Sequence, residues 1–326
     1  MRPLVLPANQ PRQRFYRGGR RIAEFRGLTA HEEYTPEDWV ASVTSVFGQS
    51  PLGLTTLEDG STLAQALAAD PLPWLGPDHF AAHGADPLLL VKLLDAGQRL
   101  PIHAHPDDGF ARTHLGRAHG KAEAWYILDP GTVWVGLTQP VPPAELLRLI
   151  SARETTAMLE AMHRVDVEPG DTVFVPPGTL HAIGEGTFLM EVQQPEDLSI
   201  LVEWSGFAID GSVDGHLGIG FDAAVRAIDT DALPSADLDE LVVRSAAAGP
   251  TLSERSRPYF RLDLAPTGSV HDAGFTVAVA HRGPVAVRGA EGEERLAAGS
   301  TALIPHAFGD FTVTEGELLL AKPPRL

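Results

Sequence analysis

Short apolar runs recur along the chain, and Gly, Pro and Asp turns separate most of them, which predicts many short strands. PLLLVKLLDAGQRLPIHAHP predicts two buried strands around the turn Asp95-Ala96-Gly97. AEAWYILDPGTVWVGL predicts strand, Asp-Pro-Gly turn and strand. DTVFVPPGTLHAIGEGTFLMEVQQ repeats that design, and LSILVEW adds another β-branched and aromatic run. Helical patterns lie between these runs. TPEDWVASVTSV predicts a helix, with Thr35 as cap, Pro36 at the first position and acids in the first turn. STLAQALAAD and PPAELLRLISARETTAMLEAMHRV space apolar residues near 3.6, and FDAAVRAID is short and helix-like.

After Ile228 the texture changes. Residues 229–257 are rich in Ala, Ser and acids and read as a linker. Residues 258–326 then return to short strands split by Gly turns, from YFRLDLAP to GELLLAKPP. GDTVFVPPGTLHAI at Gly170 and GSTALIPHAFGDFTV at Gly299 echo one another, which predicts a degenerate internal repeat. The expected division is 1–228, linker 229–257, and 258–326.

Of the 326 residues 44% are apolar, enough for a sizeable core, and the formal net charge of −18 disfavours nucleic acid and acidic membrane surfaces. There is no cysteine, so a metal would need His, Asp, Glu or Gln. No run approaches ~18 apolar residues and the N-terminus lacks an apolar leader core, which points to the cytoplasm.

Residues 102–128, IHAHPDDGFARTHLGRAHGKAEAWYIL, carry the chemistry. On a strand His103 and His105 face the same side, and two imidazoles on one face suit a divalent metal. In GDTVFVPPGTLH, Gly170 opens a strand, Pro176 and Gly178 end it, and His181 starts the returning strand. In a small barrel His181 then lies opposite the HxH strand. Glu123 shares a face with Trp125 and Ile127 on an intervening strand. One carboxylate and three imidazoles make a plausible first shell for Zn²⁺ or another divalent ion.

These pieces resemble the cupin superfamily, and more closely the type I mannose-6-phosphate isomerases, zinc-dependent bicupins with a helical insert. The matching residues are HAHPDD (His103, His105, Pro106), HGKAEAWYIL (Lys121, Glu123) and FVPPGTLHAI (His181). The seventeen residues between His105 and Glu123 (106–122) set the chain apart from cupin dioxygenases, whose glutamate follows within a few residues. RFYRGGRRIAEFRG resembles the family's Trp-Gly-Gly strand, PEDWVAS the helix after it, and MEVQQPEDLSI the family's Glu-x-Gln-Gln stretch. The resemblance implies a mainly β bicupin, two jelly-roll barrels with a helical insert. It also implies one zinc per chain on His103, His105, Glu123 and His181, and a metal-free C-terminal barrel. The implied activity is isomerisation of mannose 6-phosphate to fructose 6-phosphate through a cis-enediol, with Lys121 and Glu191 as candidate acid and base.

The chain departs from the family in three places. His103 stands where the family has glutamine. Arg17-Gly18-Gly19 replaces Trp-Gly-Gly. Leu201 stands where the family has its active-site arginine, and VEWSGFAIDG carries no basic residue either. A phosphorylated sugar normally meets a cation there. The alternatives are therefore an isomerase of a different or unphosphorylated sugar, or a non-catalytic sugar- or metal-binding bicupin. Candidate substitute cations are Arg112, Arg117 and His119 in the loop before Lys121, and Arg17, Arg20 and Arg21 near the N-terminus. His114 and His119 otherwise read as loop histidines. Trp125 and Trp134 read as barrel core, and His271, His281 and His306 as residues sharing no face. The expected partner is a small-molecule sugar or sugar phosphate, with no nucleic acid and no membrane.

Overall fold

The computed structural model describes residues 1–325. The first barrel is built from β1 (Leu90–Asp95), β2 (His103–Ala104), β3 (Glu123–Asp129), β4 (Gly131–Leu137), β5 (Met162–Val167), β6 (Thr172–Val175), β7 (His181–Ile183) and β8 (Phe188–Gln193). The second uses β9 (Arg261–Pro266), β10 (Val270–His271), β11 (Thr276–Val279), β12 (Val285–Gly289), β13 (Gly292–Leu296), β14 (Thr301–Ile304), β15 (Phe311–Glu315) and β16 (Glu317–Lys322). The strand orders repeat: β6-β3-β8-β1 and β2-β7-β4-β5 in the first barrel, β14-β11-β16-β9 and β10-β15-β12-β13 in the second. That order is the jelly roll, twice over, and it places the echo between Gly170 and Gly299 on corresponding hairpins. All of the pairings within these sheets are antiparallel.

The barrels are stitched together at their edges. Leu4–Leu6 pairs with β14, so the start of the chain joins the C-terminal barrel across the expected division at residue 228. Residues 229–257 are more structured than a linker: they hold a helix (Ser235–Leu241), and their short strands Val242–Val243 and Gly249–Pro250 pair with β6 and β9. No helix among the described residues is long and apolar enough to cross a membrane.

Period-two alternation gives the central sheet of the first barrel two unlike faces. Leu93, Met190 and Tyr126 sit side by side and pack against Phe260, Leu262, Val277 and Leu319 of the second barrel in one apolar cluster. On the opposite face, one residue along, Trp39, Lys92, Glu191, Trp125 and Val173 form a cross-strand row. The second barrel fills its own interior with Ala278, Val285, Val287, Phe308, Phe311 and Leu320. One barrel therefore holds an apolar interior and the other a charged one on the same topology. Helices Pro143–Ala152 and Thr155–Glu160 bury Leu146, Ile150 and Met158 on the outside of the β2-β7-β4-β5 sheet. Trp134 is half-buried against that outer layer and is not part of the barrel interior.

Two local expectations are corrected. The segment read as a capped helix contains a strand, Glu37–Val40, paired with β1 and buried at all four positions. Its acids do not serve a first helical turn. Glu37 meets Tyr16 and Trp39, and Asp38 meets Arg26. The segment read as the family's glycine-rich strand is a helix, Arg20–Arg26, after a single bridge at Gly18. Asp95 accepts hydrogen bonds from the Gly19 and Arg21 amides and so starts that helix at 2.8 and 2.9 Å. A Cβ on Gly18 would lie 2.0 Å from the Asp95 carbonyl, so only glycine lets the chain approach β1 here. By contrast, STLAQALAAD forms the expected helix, Leu63–Ala69, with a Thr62/Gln65 capping box.

Arg26 ties these pieces together. Its guanidinium reaches Asp38 (2.9 Å), Thr301 Oγ1 (2.9 Å) and the Leu6 carbonyl (3.1 Å), joining the helix, the edge strand and both strands that close the second barrel. Arg26→Met leaves the Asp38 carboxylate buried without its partner. Urea unfolding should show a loss of about 3–5 kcal/mol. A change within about 0.5 kcal/mol, the size of an ordinary surface effect, would refute this role.

Candidate metal centre

β2 and β7 run side by side in the first barrel, and their pairing sets His103 directly opposite His181. His105 follows just past β2. Its carbonyl accepts the Gly178 amide at 2.7 Å, locking the Pro-Gly turn before His181 onto the HxH segment. Gly178 adopts φ +85, which an L side chain rarely takes, and this is why the turn before the histidine carries glycine. The three histidines are buried, and one ring nitrogen from each lies within 4.8 Å of the others.

The outer ring nitrogens fix which atoms face inward. Nδ1 of His103 donates to the Pro101 carbonyl (2.8 Å), Nδ1 of His105 to the Leu198 carbonyl (2.5 Å) and Nδ1 of His181 to the Thr179 carbonyl (2.8 Å). A carbonyl can only accept, so each Nδ1 carries a proton, and in the neutral imidazole it is Nε2 that offers the lone pair. Backbone carbonyls that hold ligand imidazoles in this tautomer are the usual outer layer of a metal site. Nε2 of His181 is buried and has no hydrogen-bond partner. Burial, reinforced by the neighbouring imidazoles and Lys121, pushes His103 well below its usual pKa. Burial, then Lys121, pushes His105 down to about 3. Both are therefore neutral at physiological pH.

Glu123 reaches two of the three rings. Its carboxylate lies 2.9 Å from His105 Nε2 and 3.2 Å from His181 Nε2, and it accepts the Trp125 indole N–H at 3.1 Å. The Lys121 ammonium lies 2.7 Å from Glu123 and 3.0 Å from His105 Nε2. The donor set thus already faces a positive charge, and it fits a divalent cation of the zinc type. Burial opposes both charges of the Lys121–Glu123 pair. The attraction wins: Glu123 is held well below the usual carboxylate range, and Lys121 is held above the usual lysine range with help from Glu191. Glu191 stands 3.3 Å from Lys121. Burial pushes its pKa up to about 7 against the opposing pull of Lys92 and Lys121.

A narrow cavity of about 40 Å³ opens beside these groups. That is room for a water or two, so a sugar enters only if side chains at the mouth move. Its wall includes His103, Lys121, Glu123 and Glu191, and also Arg14, Tyr16, Glu37, Lys92, Asp197 and Leu201. Leu201 is there because its strand pairs it with His103. Sequence reasoning missed Arg14, Glu37, Lys92 and Asp197. Lys92 had a readable signal, a single charge inside the apolar run LLLVKLL. Glu37 was hidden by the helical reading of its segment. Arg14 and Asp197 lie inside the quoted stretches RFYRGGRR and MEVQQPEDLSI, but nothing in those patterns pointed them at the site, since loops bring them in.

The other candidates lie elsewhere. His114 is exposed and stacks near Phe110, and His119 pairs with Asp86 at 2.7 Å. Arg112, Arg17 and Arg20 have exposed side chains, Arg117 pairs with Glu196, and Arg21 pairs with Asp129. None of these seven lines the cavity. Trp125 is fully buried as core, yet its indole also faces the site, 5.8 Å from the His181 ring. His271 lies near Ser269, His281 near Tyr126, and His306 beneath Gly76.

No family model matches the chain. Among curated proteins it is 31% identical over 191 residues to mannose-6-phosphate isomerase from Streptococcus mutans, covering 57% of this chain and 56% of that protein. It is 35% identical over 185 residues to mannose-6-phosphate isomerase ManA from Bacillus subtilis, covering 55% and 54%. The chain thus matches about half the length of these relatives. The fold likeness extends further. The crystal structure of the Bacillus subtilis mannose 6-phosphate isomerase superposes with a TM-score of 0.74 at 22% identity, covering 98% of this chain and 99% of that one. A mutant phosphomannose isomerase from Salmonella typhimurium gives 0.74 at 15% identity over the full length of both. At those identities the likeness concerns the fold, which is of the cupin type.

Elemental analysis of the purified protein should find about one equivalent of divalent metal per chain. The double change His105→Ala, His181→Ala should abolish it, and retention of a full equivalent would sink the assignment. The triple change His271→Ala, His281→Ala, His306→Ala should leave metal content untouched, and a fall would place a ligand in the second barrel.

Proposed function

We propose that this protein is a zinc-dependent aldose–ketose isomerase similar to mannose-6-phosphate isomerase, interconverting mannose 6-phosphate and fructose 6-phosphate through a cis-enediol. The observation that carries the reading is the joint burial of three inward-facing imidazole nitrogens, Glu123 and the Lys121–Glu191 pair in one barrel mouth. The relatives' identity as mannose-6-phosphate isomerases supports it. One zinc per chain would be held by His103, His105, Glu123 and His181. When bound, it supplies a Lewis acid for the carbonyl and hydroxyl oxygens of an open-chain sugar.

The chain's own groups then carry the proton. The hydrogen on the carbon next to the carbonyl is weakly acidic, and a base must move it between C1 and C2. Glu191, poised to exchange its proton near neutrality, is suited to take and return it. Lys121 is held as an ammonium and serves as the acid that steadies charge developing on the sugar oxygens. Trp125 orients Glu123 through its indole N–H. Residues 1–228 form the catalytic unit in this reading. Residues 258–326 supply a metal-free barrel behind it, with 229–257 between.

A second reading rests on Leu201, which presents an isobutyl group beside His103 where a phosphate-binding cation is expected. It is an isomerase of an unphosphorylated or otherwise different sugar, or a bicupin that binds without turnover. Zinc-loaded protein should be assayed with mannose 6-phosphate and with free mannose. Lys121→Met and Glu191→Gln should each lower kcat by roughly 10²–10⁴-fold while zinc content stays at one equivalent. Unchanged kcat in both variants would remove these residues from the chemistry. Sugar binding with no turnover of either sugar would favour the binding-protein reading.

A further inference from the structure

We propose that Arg14 is the specificity-determining cation of this site, reading the anionic end of the substrate in place of the guanidinium that Leu201 lacks. The inference rests on the isomerase reading above and names how its substrate is recognised. Among the described residues that line the cavity, Arg14 is the one arginine. Its side chain is only 10% exposed, and it reaches the same cavity that Leu201 walls.

The guanidinium is positioned but not saturated. Nη2 lies 3.3 Å from Glu37 Oε1, and Nη1 lies 3.6 Å from Asp197 Oδ2. Charge-assisted bonds of this kind normally close to about 2.7–2.9 Å. Nε is buried with no partner at all. A fork with one orphaned donor and two slack contacts can donate to two oxygens of a phosphate without first breaking a tight ion pair. Lys121 is engaged differently, pressed against Glu123 at 2.7 Å, within the candidate metal site. Lys92 lies 3.8–3.9 Å from Glu191 and Glu37 and caps the Trp39 ring. Tyr16, whose hydroxyl donates to Glu37, braces the carboxylate that steers Arg14. Arg14 belongs to an irregular segment before the first helix.

The test compares wild type with Arg14→Met, Arg14→Lys and the double change Arg14→Met, Leu201→Arg. Turnover is measured on mannose 6-phosphate and free mannose, and binding of inorganic phosphate by calorimetry, with zinc content and circular dichroism as folding controls. Arg14→Met should lower kcat/KM for mannose 6-phosphate about ten- to a hundredfold, mostly through KM, and that for free mannose by roughly threefold or less. Phosphate affinity should fall with it. Arg14→Lys keeps the charge and loses the fork, so it should give a smaller loss of the same kind. The Leu201→Arg change should restore part of the phosphate affinity. If Arg14→Met fails to fold, because Glu37 and Asp197 lose their partner, Arg14→Lys carries the comparison. Equal losses on both sugars, or unchanged phosphate binding, overturn the proposal while leaving the isomerase reading intact. Arg14-dependent phosphate binding in a protein that turns over neither sugar upholds the recognition role and removes the isomerase.

Discussion

Buried charge is the constraint on which the first barrel depends. Lys92, Lys121, Glu37, Glu123 and Glu191 are all nearly inaccessible to solvent, and a lone ion in such a place is unfavourable by several kcal/mol. Each is therefore placed against an opposite charge. Lys121 bridges Glu123 and Glu191, and Lys92 bridges Glu191 and Glu37. Arg14 and Asp197 continue the alternation toward the cavity mouth. Few of these residues could change alone without stranding a partner. Burial raises Glu191 against the pull of its lysines, while Lys121 and the neighbouring imidazoles hold Glu123 down against burial, so two carboxylates on neighbouring strands shift in opposite directions.

The interior of this barrel gives up apolar packing to hold those charges. The structure recovers it elsewhere. The outward face of the central sheet packs on the second barrel in the largest apolar cluster, and helices cover the β2-β7-β4-β5 sheet. The second barrel keeps the jelly-roll order and fills its middle with aliphatic and aromatic side chains. Two barrels of one topology thus differ in content: one encloses buried charge, and the other encloses apolar side chains and packs against the first.

The histidines were legible in sequence for a plain reason. HxH on a strand and a histidine after a Pro-Gly turn are local patterns, and β-geometry converts each into a direction. The strand pairing then brings His103 and His181 face to face. Glu123 and Lys121 followed from alternation on a single strand. The helix read over residues 35–46 failed because its cap and first-turn acids were real signals serving other partners. Local propensity lost to pairing with β1, and with it Glu37 disappeared from view.

What the sequence determined by itself is the periodic and local part: the many short strands, the repeated hairpin, the helix capped at Thr62, the imidazole set, and the absence of a cation at Leu201. What only the tertiary structure decided is which distant residues share the barrel mouth. Arg14, Lys92 and Asp197 come from a loop, a strand and a turn far apart in the chain, and no spacing rule connects them. The tautomers of the three histidines were likewise fixed by carbonyls of Pro101, Leu198 and Thr179. The physical reason is the same in both cases. A strand's period dictates where a side chain points, whereas a charge's partner is whatever the fold brings within a few ångströms of it.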